Sequence, residues 1–119
     1  MARILYLQTS GTDTPERLYA PFLLAMTARS MDMDADIYFM IRGVTVVVKG
    51  AAEEIQVGNF PPLSEIMQQA ISAGVKIYIC EQSSRLLGME DPDFIKEGEV
   101  VGAVTFNDLA VDAEAVVTF

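Results

Sequence analysis

An alternation that runs the length of the chain limits its fold most. Short apolar runs at residues 4–7, 37–41, 75–80, 100–101 and 115–119 are separated by segments with helical spacing. Strands interleaved with helices in this way point to an α/β domain with a mainly parallel sheet. The run Ile4-Leu5-Tyr6-Leu7 is nearly continuous in apolar character, as expected of a strand covered on both faces. About five strands and four or five helices are expected. At 119 residues they fit a single domain spanning 1–119.

The local signals place the elements in more detail. Ser10-Gly11-Thr12-Asp13 forms a turn in which Thr12 or Asp13 caps a helix, with Pro15 and Glu16 in its first turn. That helix runs to about Ser30, with Leu18, Phe22, Ala25 and Ala28 near helical spacing. Inside it, Pro21 would cost about 3 kcal/mol, so a kink or a loose first turn is expected there. Residues 32–36 alternate in polarity and read as a surface turn. After Arg42-Gly43, Thr45-Val46-Val47-Val48 favours a strand by β-branching, whereas Val44, Val47, Val48, Ala51 and Ile55 fall at helical spacing. Both alternatives stay open.

The clearest helix follows Pro61-Pro62, where Leu63, Ile66, Met67, Ala70 and Ile71 form one apolar stripe and Gly74 supplies the stop. A short helix over 81–87 ends at Gly88, and 90–98 reads as an acidic surface connection. Ala103, Phe106, Leu109, Ala110 and Ala113 mark a last helix, with Thr105 and Asp108 at capping-box-like spacing. The closing strand is expected to be ordered and buried. The seven methionines, at 1, 26, 31, 33, 40, 67 and 89, are expected at core or subunit contacts.

Composition excludes whole classes of function. Eight cationic side chains against seventeen acidic ones leave a net charge of −9. That balance opposes binding to nucleic acid or to anionic lipid, both of which need clustered Lys and Arg. The longest apolar stretch, around residues 20–28, is too short to span a membrane. With no secretory pattern at the N-terminus and a lone thiol, the chain is expected in the cytoplasm. One Cys and no His argue against a tetrahedral zinc site and exclude a Ser-His-Asp or Cys-His pair within one chain. No metal and no cofactor are expected.

Cys80 is the principal candidate for chemistry. It stands where a strand ends and a short helix begins, the place where open α/β sheets bind ligands. A thiol before a helix N-terminus feels the partial positive charge of unpaired N–H groups, while the neighbouring Glu81 opposes a second anion. A buried, inert core thiol is the competing interpretation. Ser10, Gly11 and Thr12 form a loop after the first strand whose hydroxyls and N–H groups suit an anion, or else only a turn. Arg42 ends the second strand at the sheet edge where Cys80 emerges, and suits an anionic substrate or a surface ion pair. Gln82 and Arg85, on the helix after Cys80, complete the candidate substrate contacts.

Taken in order, these segments resemble the DsrE/DsrF-like sulfur-relay family. The resemblance is carried by Gly11, Pro15-Glu16-Arg17 and Tyr19-Ala20-Pro21; by Tyr38-Phe39-Met40-Ile41 with Arg42-Gly43; by Gly74 through Cys80; by Ser83, Arg85 and Gly88; and by Val101-Gly102-Ala103, Phe106 and Asp108-Leu109. It implies a three-layer α/β/α sandwich around a five-stranded parallel sheet, and homo- or hetero-oligomers, typically trimers or hexamers. It favours a helix after Gly43, and it tolerates proline at position 21. It further implies a Cys at the end of the fourth strand that accepts sulfur as a persulfide from a donor protein and passes it to an acceptor. Cys80 is the matching position. The rival expectation is a non-catalytic oligomeric module that binds a small anionic ligand at strand ends or subunit interfaces.

Overall fold

The computed structural model describes residues 2–119; Met1, one of the methionines expected at core or subunit contacts, lies outside them. The chain runs β1 (Arg3–Gln8), α1 (Tyr19–Ser30), β2 (Asp34–Phe39), α2 (Leu63–Ser72), β3 (Lys76–Cys80), α3 (Glu81–Leu86), β4 (Gly98–Val101), α4 (Ala103–Asp112) and β5 (Ala115–Thr118). All five strands join one sheet in the order β4-β3-β2-β1-β5, and every pairing is parallel. The expected architecture is therefore present.

The strand order explains the layers. From β1 to β4 the chain steps steadily in one direction, and α1 and α2 pack together, with α1 lying on β1 and β2. The last connection runs back from β4 to the opposite edge at β5. A right-handed crossover in the reversed direction places its helix on the opposite face. Accordingly α4 packs beneath β1, and its Phe106 meets Tyr38 edge-on at 5.0 Å. Along β2 the side chains alternate between the two faces. Phe39 packs with Phe22 of α1 at 5.9 Å, while Asp36 and Tyr38 face the α4 side.

Several local expectations need correction. Neither Thr12 nor Asp13 caps α1. Pro15–Arg17 forms a single 3₁₀ turn, Leu18 precedes the helix, and no side-chain cap is made. Pro21 is the third residue of α1, where its missing N–H would have had no intrahelical partner. This is the loose first turn, with no kink required.

The surface turn expected over 32–36 is shorter. β2 begins at Asp34 and ends at Phe39 rather than Ile41, and Asp36 is buried within it. Neither a strand nor an α-helix follows Arg42. Residues Ile41–Val47 wind as 3₁₀ helix, with a second such turn at Ala52–Glu54, so the helical spacing prevails in a tighter form. Val44, Val46 and Val47 are all buried there, and Val48 keeps only an isolated antiparallel bridge to Phe94.

Thr105 and Asp108 lie inside α4, whose N-cap is Gly102 without a side-chain cap. β5 is ordered as expected, but all four of its residues are exposed. α2 forms as its apolar stripe predicts, with Leu63, Ile66, Met67 and Ala70 buried. Its stop is physical: Gly74 takes φ +97°, and Val75 N–H returns to the Ala70 carbonyl at 3.1 Å.

Candidate functional site

β3 carries its residues to the carboxyl edge of the sheet and ends in Cys80, in extended backbone at φ −73°, ψ 115°. The next residue starts α3, so the sulfur stands at the junction of strand and helix. In chain order this is the third strand, not the fourth that the family resemblance implied. Cys80 is 7% exposed, and its exposure is to an open pocket of about 350 Å³. Met40, Ile41, Gln82, Ser83 and Leu86 line the rest of that pocket.

The walls are held by two crossing elements. Ile41 adopts φ +57°, a left-handed conformation that a β-branched side chain rarely takes. Its N–H donates to Ser83 Oγ at 2.7 Å, which ties the turn after β2 to α3 across the pocket. Ser84 Oγ donates to the Glu81 carbonyl at 2.8 Å and braces the first turn of α3.

Beneath the sulfur lies Tyr38, fully buried on the same face of the sheet. Its hydroxyl donates to the Gly102 carbonyl at 3.2 Å. Burial chiefly, and then the charge of and hydrogen bond with Cys80, push the Tyr38 phenol up to about 12. It therefore remains protonated at neutral pH, with its proton directed to the Gly102 carbonyl.

The other expected site residues sit around this pocket rather than in it, except for Gln82, which lines it with Cys80. Arg42 is at the same sheet edge, but its side chain is half exposed and reaches Asp13 at 4.0 Å. Arg85 is exposed and pairs with Glu81 at 2.7 Å, on the rim of a neighbouring groove lined also by Met89, Phe94 and Val100. The loop of Ser10, Gly11 and Thr12 packs against the turn that carries Arg42. Ser10 Oγ accepts from Arg17 Nε at 3.0 Å, and Thr12 N–H donates to Thr45 Oγ1 at 3.1 Å. Gly11 admits this contact because a Cβ there would lie 2.5 Å from the Arg42 carbonyl oxygen.

Tyr38, Met40, Ile41 and Leu86 escape a reading of spacing alone. Strand register places Tyr38 on the face of Cys80, and no local signal marks the left-handed Ile41. Ser83 stands out in the sequence only through the family resemblance.

At the opposite edge of the sheet a charged cluster forms. Arg3 pairs with the buried Asp36 at 2.6 Å and with Asp34 and Asp112 at 3.5 Å each. Burial raises the Asp36 carboxyl above its ordinary value, against the opposing effect of Arg3. The hydrogen bond to Asp36 in turn raises Arg3. Among the described residues, no group of three His, Cys, Asp or Glu is placed to hold a metal ion. No described helix is long and apolar enough to cross a membrane.

Comparison with known proteins places these features. Residues 2–119 match the family model described as the DsrE/DsrF-like family. An uncharacterized protein of Methanocaldococcus jannaschii is 32% identical over 103 residues, which is 87% of this chain and 38% of that protein. The chain thus spans well under half the length of that curated relative. Among solved structures, the E. coli ychN protein superposes with a TM-score of 0.81 at 19% identity, over the whole of both chains. A protein of unknown function from Methanobacterium thermoautotrophicum gives 0.68 at 16% identity, also over the whole of both. At these identities the likeness is one of fold.

Proposed function

The chain belongs to the DsrE/DsrF-like family, and from that premise we propose that it is a sulfur carrier whose Cys80 holds sulfane sulfur as a persulfide. The observation that carries this is the position of Cys80: the carboxyl end of a parallel strand, the first turn of a helix, and an open pocket of about 350 Å³ meet at one sulfur. The Cys80 thiolate attacks the outer sulfur of a donor persulfide. The donor S–S bond breaks, the donor thiolate leaves with the electron pair and takes up a proton, and Cys80 becomes a persulfide with no net oxidation. An acceptor thiolate then attacks the outer sulfur and restores Cys80. With a single Cys in the chain, that acceptor belongs to another molecule. Cys80 directly precedes the first turn of α3, which has no side-chain cap. Gln82 is the polar side chain placed to touch the incoming donor. A reducing cytoplasm is the compartment that suits such a thiol.

A second copy of the chain is the proposed partner for the α4 side. Val104 and Val111 are 76% and 88% exposed there, and Val116 of the edge strand β5 is exposed on the same face. Valines left in water on a helix and on the sheet edge beside it are the usual material of a subunit contact. The trimer or hexamer typical of the family would cover them.

The burial of Cys80 favours one rival, an oligomeric binding module with an inert thiol. Intact mass of the native protein after exposure to a small persulfide donor separates the two. A reductant-sensitive gain of one sulfur, about 32 Da, is expected on Cys80 and none in Cys80→Ala. No gain, with alkylation of Cys80 only after unfolding, establishes the inert thiol instead.

A further inference from the structure

The Cys80 pocket has a chemical character that the sulfur-carrier proposal leaves open. Apart from the thiol, its lining is three apolar side chains, Met40, Ile41 and Leu86, and two neutral polar ones, Gln82 and Ser83. No cation lines it. Arg42 and Arg85, the arginines nearest it, stay outside the lining: Arg42 is half exposed and 4.0 Å from Asp13, and Arg85 pairs with Glu81 at 2.7 Å. The Ser83 hydroxyl oxygen accepts the Ile41 N–H at 2.7 Å, so Ser83 offers a neutral hydroxyl and no charge. An anion entering would therefore meet mainly apolar and neutral walls with no opposite charge in the lining, which is unfavourable. It would also approach a thiolate, which reacts only as an anion, with Glu81 as the adjacent residue. A neutral group with an apolar body meets none of these costs. The volume, about 350 Å³, lies at the small end of the range of roughly 300–1,000 Å³ seen for ligand sites.

We infer that the pocket selects a neutral, apolar-bodied sulfur donor and rejects small anionic ones such as thiosulfate. This rests on Cys80 being the sulfur acceptor, and it gives Arg42 and Arg85 no part in holding the sulfur compound.

Methanethiosulfonates of similar size and different charge test this on the native protein. The Cys80 thiolate attacks the thiol-side sulfur of such a reagent, a mixed disulfide forms, and methanesulfinate leaves. The rates of the neutral ethyl reagent and the anionic sulfonatoethyl reagent are each divided by the rate of the same reagent with a free small thiol. Salt of about 0.5 M shortens the Debye length to about 4 Å and removes the field of the acidic surface as a whole. The neutral reagent is expected to be favoured at least tenfold. Leu86→Lys, at a side chain 73% exposed, is expected to reduce that preference at least threefold by adding a cation to the rim.

Equal rates, or a preference for the anion, overturn the inference while leaving sulfur uptake from persulfide donors intact. Neutral selectivity without any 32 Da gain from a persulfide donor overturns the sulfur-carrier role and leaves the pocket's preference standing. Failure of both reagents to reach Cys80 until the protein unfolds overturns both.

Discussion

Asp36 shows how one residue acquires a property that its neighbours in sequence do not announce. It lies in a run of alternating aspartates, yet it is 1% exposed and held by Arg3 at 2.6 Å. Desolvation outweighs the arginine and raises the carboxyl above 3.8. A raised folded-state value means that the proton is bound more tightly folded than unfolded. The stability this group contributes is full below its unfolded value and is lost as pH rises through its elevated one. Asp36→Asn carries no such titration. The melting temperature of the wild type minus that of the variant is therefore expected to fall as pH rises from about 3 to about 7. A difference that stays flat in thermal melts across that range would refute the assignment.

At the scale of elements, the carboxyl edge depends on backbones that approach closely. The turn after β2 lies so near the end of β1 that a Cβ on Gly43 would sit 2.0 Å from the Gln8 carbonyl oxygen. That oxygen also accepts the Met40 N–H at 3.0 Å, so it cannot withdraw without breaking the seam. Gly43→Ala is expected to cost about 1–3 kcal/mol in denaturant unfolding, as overpacking does. Gly102→Ala, where nothing lies within 4 Å, is the clash-free control and is expected to cost only the loss of a glycine N-cap, about 0.5–1 kcal/mol. The same seam positions Ile41, so Gly43→Ala is also expected to alter the alkylation rate of Cys80, measured in native buffer.

For the whole molecule, the asymmetry between the two sheet faces matters most. α1 and α2 bury Phe22, Ala25, Leu63, Ile66 and Ala70, whereas no described residue of α4 is fully buried. The α4 side and the β5 edge thus remain apolar and uncovered, as expected of a surface that a second copy occupies. Val111→Glu, at a position 88% exposed, disturbs no core contact. It is expected to shift the mass in sedimentation from an oligomer to the monomer while leaving the circular dichroism unchanged. A wild-type protein that sediments as a monomer at micromolar concentration would remove the basis for that expectation.

Periodicity and punctuation sufficed for much of this protein. The alternation of apolar runs and helical stripes determined an α/β sheet, the stripe over Leu63, Ile66, Met67 and Ala70 determined α2, and the break at Gly74 determined its end. The position of Cys80 at a strand end was equally legible, because β3 is a short apolar run that stops where a helix begins. These are local properties, set by which side chains must leave water within a few residues. Tertiary structure alone decided the rest. Whether Asp36 is in water or in the core depends on Arg3, thirty-three residues away. The left-handed backbone of Ile41 is held by Ser83, forty-two residues away. The composition of the Cys80 pocket is set by the turn after β2 meeting α3, a contact between segments about forty residues apart that no local pattern encodes. Local burial preferences choose the elements; the docking of distant backbones chooses which side chains face the sulfur.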